Sequence, residues 1–160
     1  MSPTTTNACV MDADTFLKYW QGHRRVTRRF IEAFPEQELF SLSIGGMRPF
    51  SALVLECIGM AVPSLKGIIS GQWEYGAPVS PASRAELLQL WDETTKAIET
   101  LWPTIPPHRF QEGDKAFGQW EMTGASLLTY LVDNEIHHRA QASVYLRSIS
   151  IEPPFFYDRM

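Results

Sequence analysis

Residues 123–149 read TGASLLTYLVDNEIHHRAQASVYLRSI. Within this stretch Leu127, Leu131, Asn134, His138, Gln141 and Tyr145 recur at steps of three and four. They share one face of a helix predicted from about Thr123 to Ile149. A face otherwise built from Leu and Tyr thus carries an amide and an imidazole near its middle. The i, i+4 spacing of Asn134 and His138 aims both side chains at one point. A stripe of this length has to be buried against other helices.

Working outward, the remainder of the chain supplies three such partners. Asp12 or Asp14 is a plausible N-cap for a first helix whose inner stripe is Phe16, Trp20, His23, Thr27, Phe30 and Phe34, closed by Pro35. A linker from Glu36 to Arg48 follows, with Gly45-Gly46 inside it. Pro49 suits the first turn of a second helix running to about Ala61, with Leu53, Glu56 or Cys57, and Met60 facing inward. Pro63 bends or ends it. Ser83 with Glu86 forms a capping box for a third helix, whose inner face is Leu87, Trp91, Thr94, Ile98 and Leu101, and Pro103 closes it. Four helices without convincing period-two alternation predict an all-α four-helix bundle. Its two long linkers leave room for short strands and for a site at one end. Residues 1–10 read as a flexible N-terminal tail and residues 11–160 as a single domain.

Composition narrows the function. The chain has 160 residues, 44% hydrophobic and 20% charged, as expected of one globular core. Its 14 Lys and Arg against 18 Asp and Glu give a net charge of -4, so a phosphate-neutralising face for nucleic acid is not expected. The cluster Arg24, Arg25, Arg28 and Arg29 falls at spacings that predict a solvated helix face. No run approaches the roughly 18 apolar residues of a membrane span. Cys9 sits in a Thr-rich tail and Cys57 in an apolar run, unlike settings that predict free thiols and a cytoplasmic location.

Polar groups on inner stripes are the candidates for chemistry. A carboxylate such as Glu56 is seldom buried alone, because its desolvation has to be compensated. Asn134 and His138 could compensate it as a hydrogen-bonded cluster that needs no metal. The same convergence could equally build a metal site in the bundle core. His23, in mid-stripe, is either a satisfied core histidine or a catalytic candidate. His137 points about 100° away from His138 and reads as a surface residue. His108, in a Pro-rich loop, carries no signal. Arg139, beside the inner face, is placed to bridge to a carboxylate.

The run Asp133-Asn134-Glu135-Ile136-His137-His138-Arg139-Ala140-Gln141, followed by Tyr145-Leu146-Arg147, resembles the fourth-helix signature of DinB-like proteins. That signature has the form His-x-x-x-His-Arg-Gly-Gln and then a Leu-Arg pair. The ending Ile151-Glu152-Pro153-Pro154, with residues 155–159, is also similar to a common ending of the family. The resemblance spans about residues 11 to 159. It implies an up-down-down-up bundle, often a homodimer, around a three-His site for a divalent metal, commonly nickel or zinc. One ligand comes from the second helix and two from the fourth. It further implies enzymes that use low-molecular-weight thiols as transferases or isomerases. Here His138 falls on the second histidine of the motif, Asn134 replaces the first, Glu56 takes the second-helix position, and Ala140 replaces the usual glycine.

Two functions compete on these residues. In the first, Glu56, Asn134 and His138 hold nickel, zinc or manganese, with open positions for water or a thiolate, as in a catalytic site. His23 is then a nearby acid, base or further ligand, and Trp20, Trp91 and Tyr145 wall a small-molecule pocket. In the second, the chain is a binding or stress-response module whose metal site has degenerated into a Glu56–His138 pair. Tyr130, Val144 and Leu146, off the inner stripe, either line a homodimer interface or meet the linkers of the same chain.

Overall fold

The computed structural model describes residues 9–160. Most of the tail expected over residues 1–10 lies outside them. Five helices follow in order: α1 (Ala13–Ala33), α2 (Glu36–Ser41), α3 (Phe50–Ser70), α4 (Arg84–Leu101) and α5 (Gly124–Ser148). One hairpin, β1 (Gly113–Ala116) and β2 (Trp120–Thr123), precedes α5. The fold is therefore mostly helical rather than all-α.

The helix starts follow from side chains that satisfy the orphan N–H groups of a first turn. Asp12 Oδ1 accepts from the Thr15 amide at 2.7 Å. Ser83 Oγ accepts from the Glu86 amide at 3.2 Å, while the Glu86 carboxylate reaches back to the Ala82 N–H at 2.7 Å. Thr123 Oγ1 accepts from the Ser126 amide at 3.1 Å. The second helix does not stop near Ala61 as expected: α3 runs through Pro63 to Ser70, so Pro63 does not end it. A proline there removes one bond to the Gly59 carbonyl and crowds it. α3 nevertheless continues, packed along its length against α4 and α5.

α1 packs on α4 and α5, and so does α3, with α2 against α3. Two apolar clusters result. One gathers Val26, Phe30, Phe34, Leu53, Leu87 and Leu146; the other gathers Trp20, Leu65, Ile98, Trp102, Leu128 and Val132. Between them, in chain position on α1 and α5, lie the polar residues His23, Arg24, Glu135, His138 and Arg139, with Thr27 just past Val26. Leu146 is fully buried in the first cluster, so it leaves the expected interface set, while Tyr130 and Val144 stay exposed. Trp20, Trp91 and Tyr145 are likewise core residues and not pocket walls. α3 is long and apolar enough to cross a membrane by composition, with mean hydropathy 1.7, and 44% of that window is buried inside the fold. Both charged residues of α3 reach solvent, Lys66 exposed and Glu56 half-buried.

The hairpin Gly113–Thr123 is antiparallel, with Ala116 opposite Trp120. Arg109 fixes it to the end of α3. Its Nε donates to the Ile68 carbonyl at 2.5 Å, and its guanidinium holds Asp114 Oδ2 at 2.7 Å and Glu112 Oε2 at 2.9 Å. Phe117 and Gly118 make the turn with φ of 52° and 68°. An aromatic residue in that left-handed region is strained, and it persists here because its ring is packed. Trp73, Tyr75 and Trp120 surround it at centroid distances of 5.3, 4.7 and 6.4 Å.

Candidate functional site

Asn134 and His138 stand on the α5 face toward α3, where Glu56 meets them. Glu56 Oε1 accepts from His138 Nε2 at 3.0 Å and from Asn134 Nδ2 at 3.1 Å. Its other oxygen accepts from Arg48 Nη2 at 2.6 Å. Arg48 was not foreseen; it lies just before α3, where Tyr145 Oη donates to its carbonyl at 2.8 Å. Partial burial alone would raise the Glu56 carboxyl. Hydrogen bonds from His138, Arg48 and Asn134 outweigh it and hold the group at about 2. The site thus contains an ionised carboxylate with its lone pairs engaged on both sides.

The centre is open on one side. Glu56 is 28% exposed and Arg48 54% exposed, whereas His138 is 8% exposed. His138 Nδ1 is buried and has no partner, so its tautomer is set by the Glu56 contact alone. Among the described residues no three His, Cys, Asp or Glu side chains gather closely enough to hold a metal. The donor set is therefore one carboxylate, one imidazole and one amide.

His23 does not join this centre. It lies 2% exposed on α1, with Arg139 Nη2 donating to its Nδ1 at 2.9 Å. Its ring stands edge-on to Tyr19 at 4.6 Å. Burial first, then the charges of Arg139 and Arg159, lower its pKa to about 4. No hydrogen bond links it to Glu56, Asn134 or His138, and its Nε2 has no partner.

Instead His23 borders a second polar cluster. Glu135, 1% exposed on α5, accepts from Thr27 Oγ1 at 2.6 Å and lies between Arg24 at 4.0 Å and Arg139 at 3.8 Å. Arg24 is fully buried, not solvated as its neighbours in the basic run suggested. Its guanidinium stacks 3.7 Å from the Trp91 ring and donates to Thr95 Oγ1 at 2.7 Å and to the Trp91 carbonyl at 3.0 Å. Of the other arginines in the run, Arg25 is exposed, and Arg28 pairs with Asp92 at 2.8 Å. Burial pushes the Glu135 carboxyl up against the pull of Arg24, Thr27 and Arg139. Arg139 does bridge to a carboxylate, as its position beside the inner face suggested. Burial also pushes the Cys57 thiol up, so it is a protonated core residue rather than a nucleophile. Cys9 and Cys57 are both free.

The polar centre adjoins a cleft. Asn134 Nδ2 lies 3.8 Å from Met60 Sδ, and Met60 forms one wall of an apolar cavity of about 260 Å³ closed by Phe117, Trp120, Met122, Leu127 and Tyr130. The aromatic wall beside the site therefore comes from the hairpin and α5, not from Trp20, Trp91 and Tyr145.

Comparison with known proteins adds a family. The model of the DinB family matches residues 1–160. No curated protein matches the chain. Among solved structures it is similar to a DinB-like protein from Bacillus subtilis, with a TM-score of 0.69 and 19% identity over 88% of this chain and 96% of that one. It is also similar to a DinB-like protein from Bacillus cereus, with a TM-score of 0.72 and 18% identity over 90% of this chain and 97% of that one. At such identities the likeness concerns the fold.

Proposed function

This chain belongs to the DinB family, and from that premise we propose that it is a cytoplasmic, divalent-metal-dependent enzyme acting on a low-molecular-weight thiol. In this proposal the four long helices form the family's up-down-down-up bundle. Glu56, Asn134 and His138 hold nickel, zinc or manganese. The observation that carries it is the convergence of Asn134 and His138 on a single Glu56 oxygen, at 3.1 and 3.0 Å.

The donors fit a borderline cation. Glu56 is already ionised, His138 offers Nε2, and the Asn134 amide presents its oxygen once turned about its last torsion. The fit is weaker than that of three imidazoles, since an amide is a neutral ligand and Arg48 shares the carboxylate. When bound, such an ion lowers the pKa of a water or thiol and supplies a nucleophile near neutral pH. Glu56 positions the centre from α3, Arg48 turns outward to release its second oxygen, and the half-buried surroundings keep the opening narrow. Exposed Tyr130 and Val144 on α5 support a homodimer.

A second reading is favoured by Arg48. Glu56 paired to it at 2.6 Å and to His138 at 3.0 Å is complete without a metal. The chain would then be a non-catalytic binding module with a polar pin between α3 and α5. Elemental analysis of untagged protein and of His138→Ala separates the two. Near-stoichiometric nickel, zinc or manganese that disappears in the variant is expected. Absence of metal in both after incubation with these ions would leave the metal-free pair. Elution of the same sample as a monomer at micromolar concentration would remove the homodimer.

A further inference from the structure

The cleft beside Met60 has no role in the metal chemistry, yet it is built from unusual parts. Its walls are three aromatic rings, two methionines and one leucine. Trp120 is about half exposed at the mouth of the cleft, an uncommon state for so large a ring. Phe117 holds a left-handed backbone, with φ of 52°, at the hairpin tip while its ring packs among Trp73, Tyr75 and Trp120. The hairpin itself is clamped by Arg109, so the wall is pre-formed rather than loose.

Helix spacing joins this cleft to the polar centre. Met60 follows Glu56 by one turn on α3, and Tyr130 precedes Asn134 by one turn on α5. Cleft and centre therefore occupy consecutive turns of the same α3–α5 groove, about 6 Å apart along the helices. Met60 stands between them, touching Asn134 through sulfur at 3.8 Å. A methionine has three rotatable bonds and re-packs easily, which suits a movable partition.

We propose that the cleft binds a flat, largely apolar small molecule whose single polar end, a hydrogen-bond donor, passes Met60 to reach the Glu56 carboxylate. The orientation, though not the cleft, rests on the reading of Glu56, Asn134 and His138 as the functional centre. Stacked rings and soft sulfur favour a planar body over an aliphatic chain. A volume of about 260 Å³ with few polar atoms suits a small aromatic rather than a peptide. The ionised Glu56 is the only carboxylate in the polar centre, so a donor is preferred over a second anion.

Calorimetric titration of the full chain with indole and with 1-methylindole tests this, the two differing by one N–H donor. Indole should bind below about 1 mM and at least about five-fold more tightly than 1-methylindole. Trp120→Ala should weaken both by about ten-fold. Phe117→Gly removes the ring while relieving the backbone strain that partly offsets the lost packing, so it should still fold and yet lose binding. Glu56→Leu, which leaves no acceptor at this position, should erase the preference for indole over 1-methylindole. Absence of binding, or binding indifferent to Trp120→Ala and Phe117→Gly, would overturn the cleft; equal affinity for both probes in the parent would overturn the orientation. Metal uptake without indole binding removes the cleft alone, whereas indole binding without metal uptake removes only the thiol-enzyme reading.

Discussion

Asn134 and His138 face one way on α5, and Glu135 and Arg139, their immediate neighbours, face another. The first pair meets Glu56 at a half-open edge between α3 and α5; the second meets Arg24, Thr27 and His23 in the interior against α1. Both clusters contain one carboxylate, one histidine and at least one arginine. Their physics differs through burial. At the edge, water can replace any contact that Glu56 loses. In the interior, two guanidiniums and one carboxylate have only each other and a few backbone and hydroxyl oxygens. Similar residue sets thus serve an adjustable site on one face and a fixed strut on the next.

The contrast breaks if the interior cluster proves dispensable. Glu135→Leu leaves Arg24 and Arg139 buried beside each other without their shared counter-charge, and that should cost about 3–5 kcal/mol. For a chain of this size the midpoint of thermal unfolding should fall on the order of 10 °C. Glu135→Gln keeps a group for Thr27 to bond and should cost about half as much. A loss under about 1 kcal/mol for Glu135→Leu, read by urea unfolding, would mean that the two arginines find other acceptors.

A smaller effect comes from His23. Its folded-state pKa near 4 lies below that of the unfolded chain, about 6.5. Between those values the unfolded state binds more protons, so the contribution is full above about 6.5 and is lost as pH falls toward 4. The limit is about 3 kcal/mol. Glu135 acts with the opposite sign, since burial raises its folded pKa and favours folding at the acid side. The measure is therefore the difference between the parent and His23→Phe, which cannot titrate. Parallel stability curves for the two between pH 6.5 and 4 would place the imidazole outside the network.

Much of this architecture was legible in the sequence, for identifiable reasons. Asp12, Ser83 with Glu86, and Thr123 mark helix starts because caps are local chemistry, decided within four residues. Asn134 and His138 were legible because a polar pair at i, i+4 on an apolar stripe has no innocent surface explanation. Glu56 was found with them, one position from the more deeply buried Cys57. Three features were hidden. Arg24 stands in a run of arginines that reads as solvated, and only partners on other helices, Trp91, Thr95 and Glu135, reveal its burial. Glu135 lies off the stripe that carries Asn134 and His138 and so breaks no periodic pattern. The hairpin Gly113–Thr123 lacks clean alternation, since its register is held by Arg109 and by rings from other segments rather than by its own pattern. Local rules located the edge site; the interior network depends on distant pairings.

The mildest substitution sharpens the comparison most. Glu56→Gln removes a charge that receives three side-chain hydrogen bonds, a larger number than Glu135 receives. Counting bonds alone predicts the greater loss at Glu56. Exposure predicts the reverse, because solvent screens the Arg48 pair and rehydrates Asn134, which limits the cost to about 1 kcal/mol or less. The acid behaviour should separate as well. Glu56 stays ionised in the folded chain down to about 2, against 4.5 for an unperturbed group, so its contribution is present above 4.5 and fades only as pH falls toward 2. Urea unfolding of Glu56→Gln at neutral pH and near pH 3 should therefore show a small deficit that shrinks on acidification. A deficit as large as that of Glu135→Gln would mean that the edge centre is as much a strut as the interior one, and that its half-open geometry is not free to serve a ligand.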